Sequence, residues 1–207
     1  MKRIIFLVCV ISVSGCATSS LQFIEPENVG SKSEKTVSKD FETAWSNMVS
    51  GLSREFFVIN NIEKDSGIIN VSYSADDPSQ FIDCGSAEVV TNSDEIVVDM
   101  SKENNYPWAY QDGVYQFVGR VENNPSVSGR ANIYMAESGG NQTSINVNAR
   151  YVVKLNHTLF NNVGGQINRL EETATFETGS YGSISDSDIV CTNTGELESR
   201  ILNLVSE

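Results

Sequence analysis

One histidine, His157, is all the imidazole that 207 residues offer. A histidine-based metal site would therefore have to be built from a single ring, and a Ser-His-Asp set would have no choice of base. Basic residues are scarce too: 14 Lys and Arg stand against 27 Asp and Glu, a formal charge of -13. A phosphate backbone would be repelled and no basic stripe offsets it, which argues against nucleic acid as a partner. Long apolar runs are missing as well. The longest, Ile4 to Val13, is too short for a permanent spanning helix, which needs about 20 residues. Cysteine is limited to Cys9, Cys16, Cys84 and Cys191, none in a Cys-x-x-Cys pair. Composition otherwise fits a folded domain, with 40% hydrophobic and 20% charged residues.

What is present begins with an address. Lys2-Arg3, the apolar stretch Ile4–Val13, and then Ser14-Gly15-Cys16 have the order of a secretory signal: a positive start, a short apolar core, small residues. Val13-Ser14-Gly15-Cys16 looks like a bacterial lipobox. That resemblance implies cleavage before Cys16 and a diacylglyceryl group on its thiol. An ordinary signal with a chance cysteine is the alternative. Cleavage would remove Lys2 and Arg3 and no acid, making the chain more negative by two charges. By similarity to enterobacterial lipoproteins, Ala17 after the cysteine implies the outer membrane, periplasmic face. Two or three acyl chains would make the attachment stable where one is marginal.

With Cys9 lost to the signal and Cys16 to lipid, Cys84 and Cys191 remain in an oxidising compartment. A Cys84–Cys191 disulfide is expected, the alternative being two separate buried thiols.

Residues 16–39 read as the lipidated terminus and a flexible tether, spanning about 25–30 Å as a coil. Within it, Leu21, Phe23 and Ile24 could be captured by a partner or be ordinary linker positions. The folded domain is expected over 40–207. Phe41, Ala44, Trp45, Met48, Val49 and Leu52 recur at helical spacing, and Ser38 or Asp40 can cap the start. A hairpin follows through 56–59 and 68–73. Strands are expected at 86–91, 95–100, 114–121 and 172–178, with the clearest pair at 129–136 and 144–155. Gly179–Asp188 reads as a polar loop. Leu197, Ile201, Leu202 and Val205 mark a closing helix. The pattern predicts an α+β domain: one antiparallel sheet packed by an N-terminal and a C-terminal amphipathic helix.

Phe41-Glu-Thr-Ala-Trp45, Leu52, Phe57-Val-Ile59, Asp65-Ser-Gly67-Ile68 and Val71-Ser-Tyr73 together resemble the opening of helix-grip domains in bacterial envelope lipoproteins. They are similar to the C lipoprotein of the outer-membrane barrel-assembly machinery. The resemblance covers about 35 residues and implies a helix-grip-like fold and a role beside other envelope proteins.

Catalytic sets are weak. His157 lies outside any Gly-x-Ser-x-Gly turn. The acidic neighbours Asp76-Asp77, Asp94-Glu95 and Glu171-Glu172 would point to opposite faces of a strand. Asp186-Ser187-Asp188 lacks the glycine and closing glutamate of a calcium loop. No cofactor is implied. The segment 102–125 stands out, with Tyr106, Trp108, Tyr110, Tyr115 and Phe117 beside Pro107 and Gly113. Such aromatics can stack on sugars or anchor an interface, or simply cover the sheet as a packed loop. The expectation is a non-enzymatic, membrane-anchored periplasmic lipoprotein with a scaffolding or envelope-assembly role and an envelope protein as partner. The alternative is a binding module for glycan or a small apolar molecule, using the 106–117 aromatics.

Overall fold

A computed structural model describes residues 20–27, 30–55, 57–75, 77–90, 95–112, 115–184 and 188–206, with the side chains of 110–112 and 115–117 outside the description. The signal, the lipobox and Cys16 lie outside the described residues.

In chain order the elements are β1 (Ser20–Ile24), β2 (Glu34–Val37), α1 (Phe41–Leu52), β3 (Val58–Glu63), β4 (Ile68–Ala75), β5 (Ile82–Asp83), β6 (Ser86–Val90) and β7 (Glu95–Asp99). Then come β8 (Asn104–Asp112), β9 (Tyr115–Glu137), β10 (Thr143–Asn161), β11 (Gln166–Glu177), β12 (Tyr181–Ser183), β13 (Val190–Asn193) and α2 (Glu196–Asn203). The expectation of one sheet between two helices, helix-grip-like, is overturned. Strands dominate the chain, and they form three sheets beside two short helices.

The main sheet has seven strands, in the order β11-β10-β9-β4-β3, with β2 added beside β10 and β8 beside β9. Its spine is the antiparallel pair β9 and β10, 23 and 19 residues long. The pair was legible at 129–136 and 144–155, where Ala131, Ile133 and Met135 alternate against Ile145, Val147 and Ala149. Its continuation was not, because Gly119, Pro125 and Gly129 interrupt the alternation. Pro125 falls in the one stretch of β9 between its two flanking partners: β8 pairs up to Asn123 and β4 from Val127. A residue without an N–H is tolerated where the ladder is open on one side. That gap divides a body from an arm.

In the body, one sheet face is dry. Val71, Tyr73, Ile133, Val147, Tyr151 and Val153 lie on it, all buried. α1 packs over β9 and α2 over β10. Asp40 starts α1 as one of the two candidate caps, its Oδ1 accepting from the Thr43 N–H at 2.9 Å. Ala44, Trp45, Met48 and Leu52 go into the core as the 3.6-residue spacing requires. Gly51 faces Leu204, and a Cβ there would sit 2.9 Å from the Leu204 Cβ, so the glycine lets the two helical ends meet.

The segment read as a tether contributes two strands. β1 pairs with β6, from Ser20↔Val90 to Ile24↔Ser86, and β2 pairs with β10. Phe23 packs against the core and Val37 is fully buried, which accounts for the apolar residues that interrupt a polar linker composition. β1, β6 and β7 form one small sheet, and β12, β13 and β5 another. Cys84 and Cys191 are joined by a disulfide. The bond extends the ladder in which Thr192 faces Asp83 and Asn193 faces Ile82. It therefore ties two neighbouring strands of the small sheet that leads into α2.

Candidate functional site

Beyond Pro125 the sheet continues as a four-stranded arm in the order β11-β10-β9-β8. The segment 102–125, read as a loop or a single strand at 114–121, is a hairpin. Tyr106 pairs with Val121, Trp108 with Gly119, Tyr110 with Phe117 and Asp112 with Tyr115. All five aromatics therefore occupy positions of one strand parity, a regularity that Pro107 and Gly113 obscured. The two whose side chains are described, Tyr106 and Trp108, are not an exposed platform. Tyr106 is 6% exposed, and burial with Glu172 nearby pushes its hydroxyl up to about 12. Trp108 is partly buried against the core. The side chains of Tyr110, Tyr115 and Phe117 lie outside the description.

The core-facing side of the body runs out along this arm. Leu155 is fully buried, His157 nearly so, and Leu159 only partly. Farther on the strand β11 is open: every residue from Gln166 to Glu171 is exposed, and this stretch pairs on one side only, with β10. Ile167 and Leu170 are half exposed, and Val163 in the turn is 84% exposed. The turn itself is fixed by Asn161, whose Oδ1 accepts from the N–H groups of Val163 and Gly165. On the other side Arg120 lies over the Phe160 ring at 4.3 Å and pairs with Glu122.

A polar cluster sits at the arm's root. His157 faces Asn123 across the ladder, and its Nε2 is 3.6 Å from a Glu172 carboxylate oxygen. Asn123 is fully buried and donates from Nδ2 to the carbonyls of Met100 and Lys102, both at 3.2 Å. The His157 Nδ1 and the Asn123 Oδ1 have no protein partner. Burial lowers the imidazole below its usual value. Among the described residues no hydroxyl is hydrogen-bonded to this ring. Strand parity separates the adjacent acids as expected: Glu171 reaches Lys154 at 3.1 Å while Glu172 faces His157. Asp76, Asp94, Asp186 and Ser187 lie outside the description. Among the described residues no group of His, Cys, Asp and Glu is arranged to hold a metal, and no helix is long and apolar enough to cross a membrane.

Two features escaped the sequence reading. Glu198, inside the closing helix, is fully buried; its Oε1 accepts from the Tyr151 hydroxyl at 2.8 Å and from the Thr178 hydroxyl at 2.6 Å. The negative charge and burial together push the Tyr151 hydroxyl up, burial being the larger cause. The Gly195-Glu-Leu-Glu198 run gave a hint, since α2 places Glu198 beside the apolar Leu197 rather than opposite it. The other is a pair of arginines, Arg130 and Arg150, directly opposite each other on the wet face of the sheet. Comparisons with protein-family models, curated proteins and solved structures find no significant match to this chain.

Proposed function

We propose that this chain is a lipoprotein of the bacterial envelope, anchored through Cys16 at the periplasmic face of the outer membrane. Its work there is docking in scaffolding or assembly, without catalysis. The observation that carries the reading is the arm. A core-continuous face leaves the body through Leu155, His157 and Leu159 and ends at half-exposed Leu170, in register with His157, beside a strand edge that pairs on one side only; half-exposed Ile167 stands at the register shift of that same edge. An extended segment of a partner can add to such an edge through backbone hydrogen bonds, with apolar side chains setting the register. The partner is thus an envelope protein offering a strand with apolar residues at alternate positions. Confinement to a membrane raises effective concentration, so modest contacts suffice. The lipobox residues Val13 to Cys16 support the anchor, and the Cys84–Cys191 bond suits an oxidising compartment.

Two measurements test the reading. Labelled palmitate should enter the full chain and not the Cys16→Ala variant. A photo-crosslinker in place of Leu170, used in intact cells, should give an adduct with one envelope protein that Ile167→Asp reduces at least fivefold. An unlabelled polypeptide removes the anchor. An adduct indifferent to Ile167→Asp removes the docking edge.

A further inference from the structure

The wet face of the body is organised in rows that run across the strands. One row is amide: the Asn60 Nδ2 donates to the Asn70 Oδ1 at 3.0 Å and to the Ser72 hydroxyl at 2.7 Å, and the Asn70 Nδ2 donates to the Asn132 Oδ1 at 2.6 Å. Asn148 faces Asn132 and extends the row onto β10. The next row is Ser72, Arg130, Arg150 and Glu177, each facing its neighbour on the adjoining strand.

Two guanidinium groups in direct cross-strand opposition repel one another, and like charges so placed destabilise a sheet. The chain has 27 acids with which to relieve that repulsion. It does so elsewhere: Lys64, Lys102, Arg120, Lys154 and Arg200 each pair with a carboxylate. Arg130 and Arg150 make no ion pair and no side-chain hydrogen bond among the described residues, although Glu177 stands in register with Arg150. Ser72, Ser128, Gly129 and Val152 complete an open groove of about 500 Å³ around the pair.

We infer that Arg130 and Arg150 receive the carboxylate or phosphate of an acidic saccharide laid across this groove. Guanidinium forks match either oxyanion in a bidentate fashion. The neighbouring amides and hydroxyls are both donors and acceptors, which suits a chain of sugar hydroxyls, and their mutual hydrogen bonds hold them ready. Val152 offers an apolar contact for a ring face. A formal charge of -13 repels a polyanion in general. Retention of one therefore demands a local site. The inference stands on the sheet alone and is independent of the lipid anchor and the arm.

The test is affinity electrophoresis of the full chain in mild detergent, through gels holding polygalacturonate, a phosphorylated mannan or neutral dextran. Retardation is expected with at least one anionic polymer and not with dextran, and the polymer that retards names the oxyanion. The Arg130→Gln, Arg150→Gln double variant should lose at least tenfold in apparent affinity while its melting temperature stays level or rises, since a repulsion has been removed. Lys154→Gln removes a cation of the same face outside the pair and should change affinity less than twofold. Equal retardation in dextran, none in any gel, or a loss in Lys154→Gln matching that of the double variant would each overturn the inference.

Discussion

Trp108 lies across Gly119, its cross-strand partner, so closely that a Cβ at Gly119 would meet the indole nitrogen at 2.8 Å and also press on the Phe160 carbonyl. Ten residues on, Tyr73 covers Gly129 in the same way, its hydroxyl 2.7 Å from where a Cβ would stand. An aromatic ring over a bare backbone restores the contact area that a strand glycine forgoes and fixes where the long strand can bend. Gly119→Ala should therefore destabilise the protein by about 1–3 kcal/mol, as overpacking does. Gly30→Ala should be neutral, because nothing lies within 4 Å of its Cβ position. Urea unfolding of the two variants beside the parent provides the comparison.

Tyr151 and Thr178 both donate to one oxygen of buried Glu198. Removing the acceptor leaves the Tyr151 hydroxyl in the core without it, at about 1–3 kcal/mol, and leaves the partly buried Thr178 hydroxyl with only the Ala149 carbonyl to donate to, at 3.3 Å. Glu198→Ala should then cost on the order of 2–5 kcal/mol and loosen α2. Tyr151→Phe should cost less, since Thr178 still serves the carboxylate. The double variant should lose less than the sum of the two, a coupling that a double-mutant cycle reads directly. Strict additivity would mean that the hydroxyl and the carboxylate act separately.

His157 makes stability depend on pH in a defined direction. Burial lowers its folded value. The unfolded chain takes up the proton near the ordinary imidazole value of about 6.5, and the folded chain only at lower pH. Stability is therefore complete above that value and is lost as pH falls from it through the depressed folded value. The urea midpoint should drop between pH 7.5 and 5.5, and His157→Gln should flatten that drop. An unchanged slope in the variant would place the titration elsewhere.

Local periodicity was readable where one face is wet and one dry. The stripe from Phe41 to Leu52 and the alternation from Ala131 to Met135 gave α1 and the centre of the β9–β10 pair. The cysteine arithmetic gave the disulfide. Periodicity failed where a strand changes partners: Pro125 marks the open place between β8 and β4, and in the sequence it reads as a break. It failed also at β1, where Leu21 and Phe23 sit among serines and polar neighbours, and only pairing with β6 orders them. Arg130 and Arg150 are twenty residues apart, and nothing short of the hairpin register sets them side by side. Glu198 was hidden because a carboxylate on an apolar stripe is ordinarily read as the edge of that stripe.

Strand β1 begins at Ser20. A lipid on Cys16 would thus be only four residue steps from the first ladder rung, a reach of at most about 14 Å. Such a leash would be a stub. A body so anchored would not wander over a wide shell as a coil-tethered one would; it would skim the bilayer at nearly constant altitude. Ile24, Val90 and Val97, exposed on the sheet that β1 belongs to, would then travel close to the headgroups. Neighbours would be selected by how far their own surfaces rise from the same lipid plane.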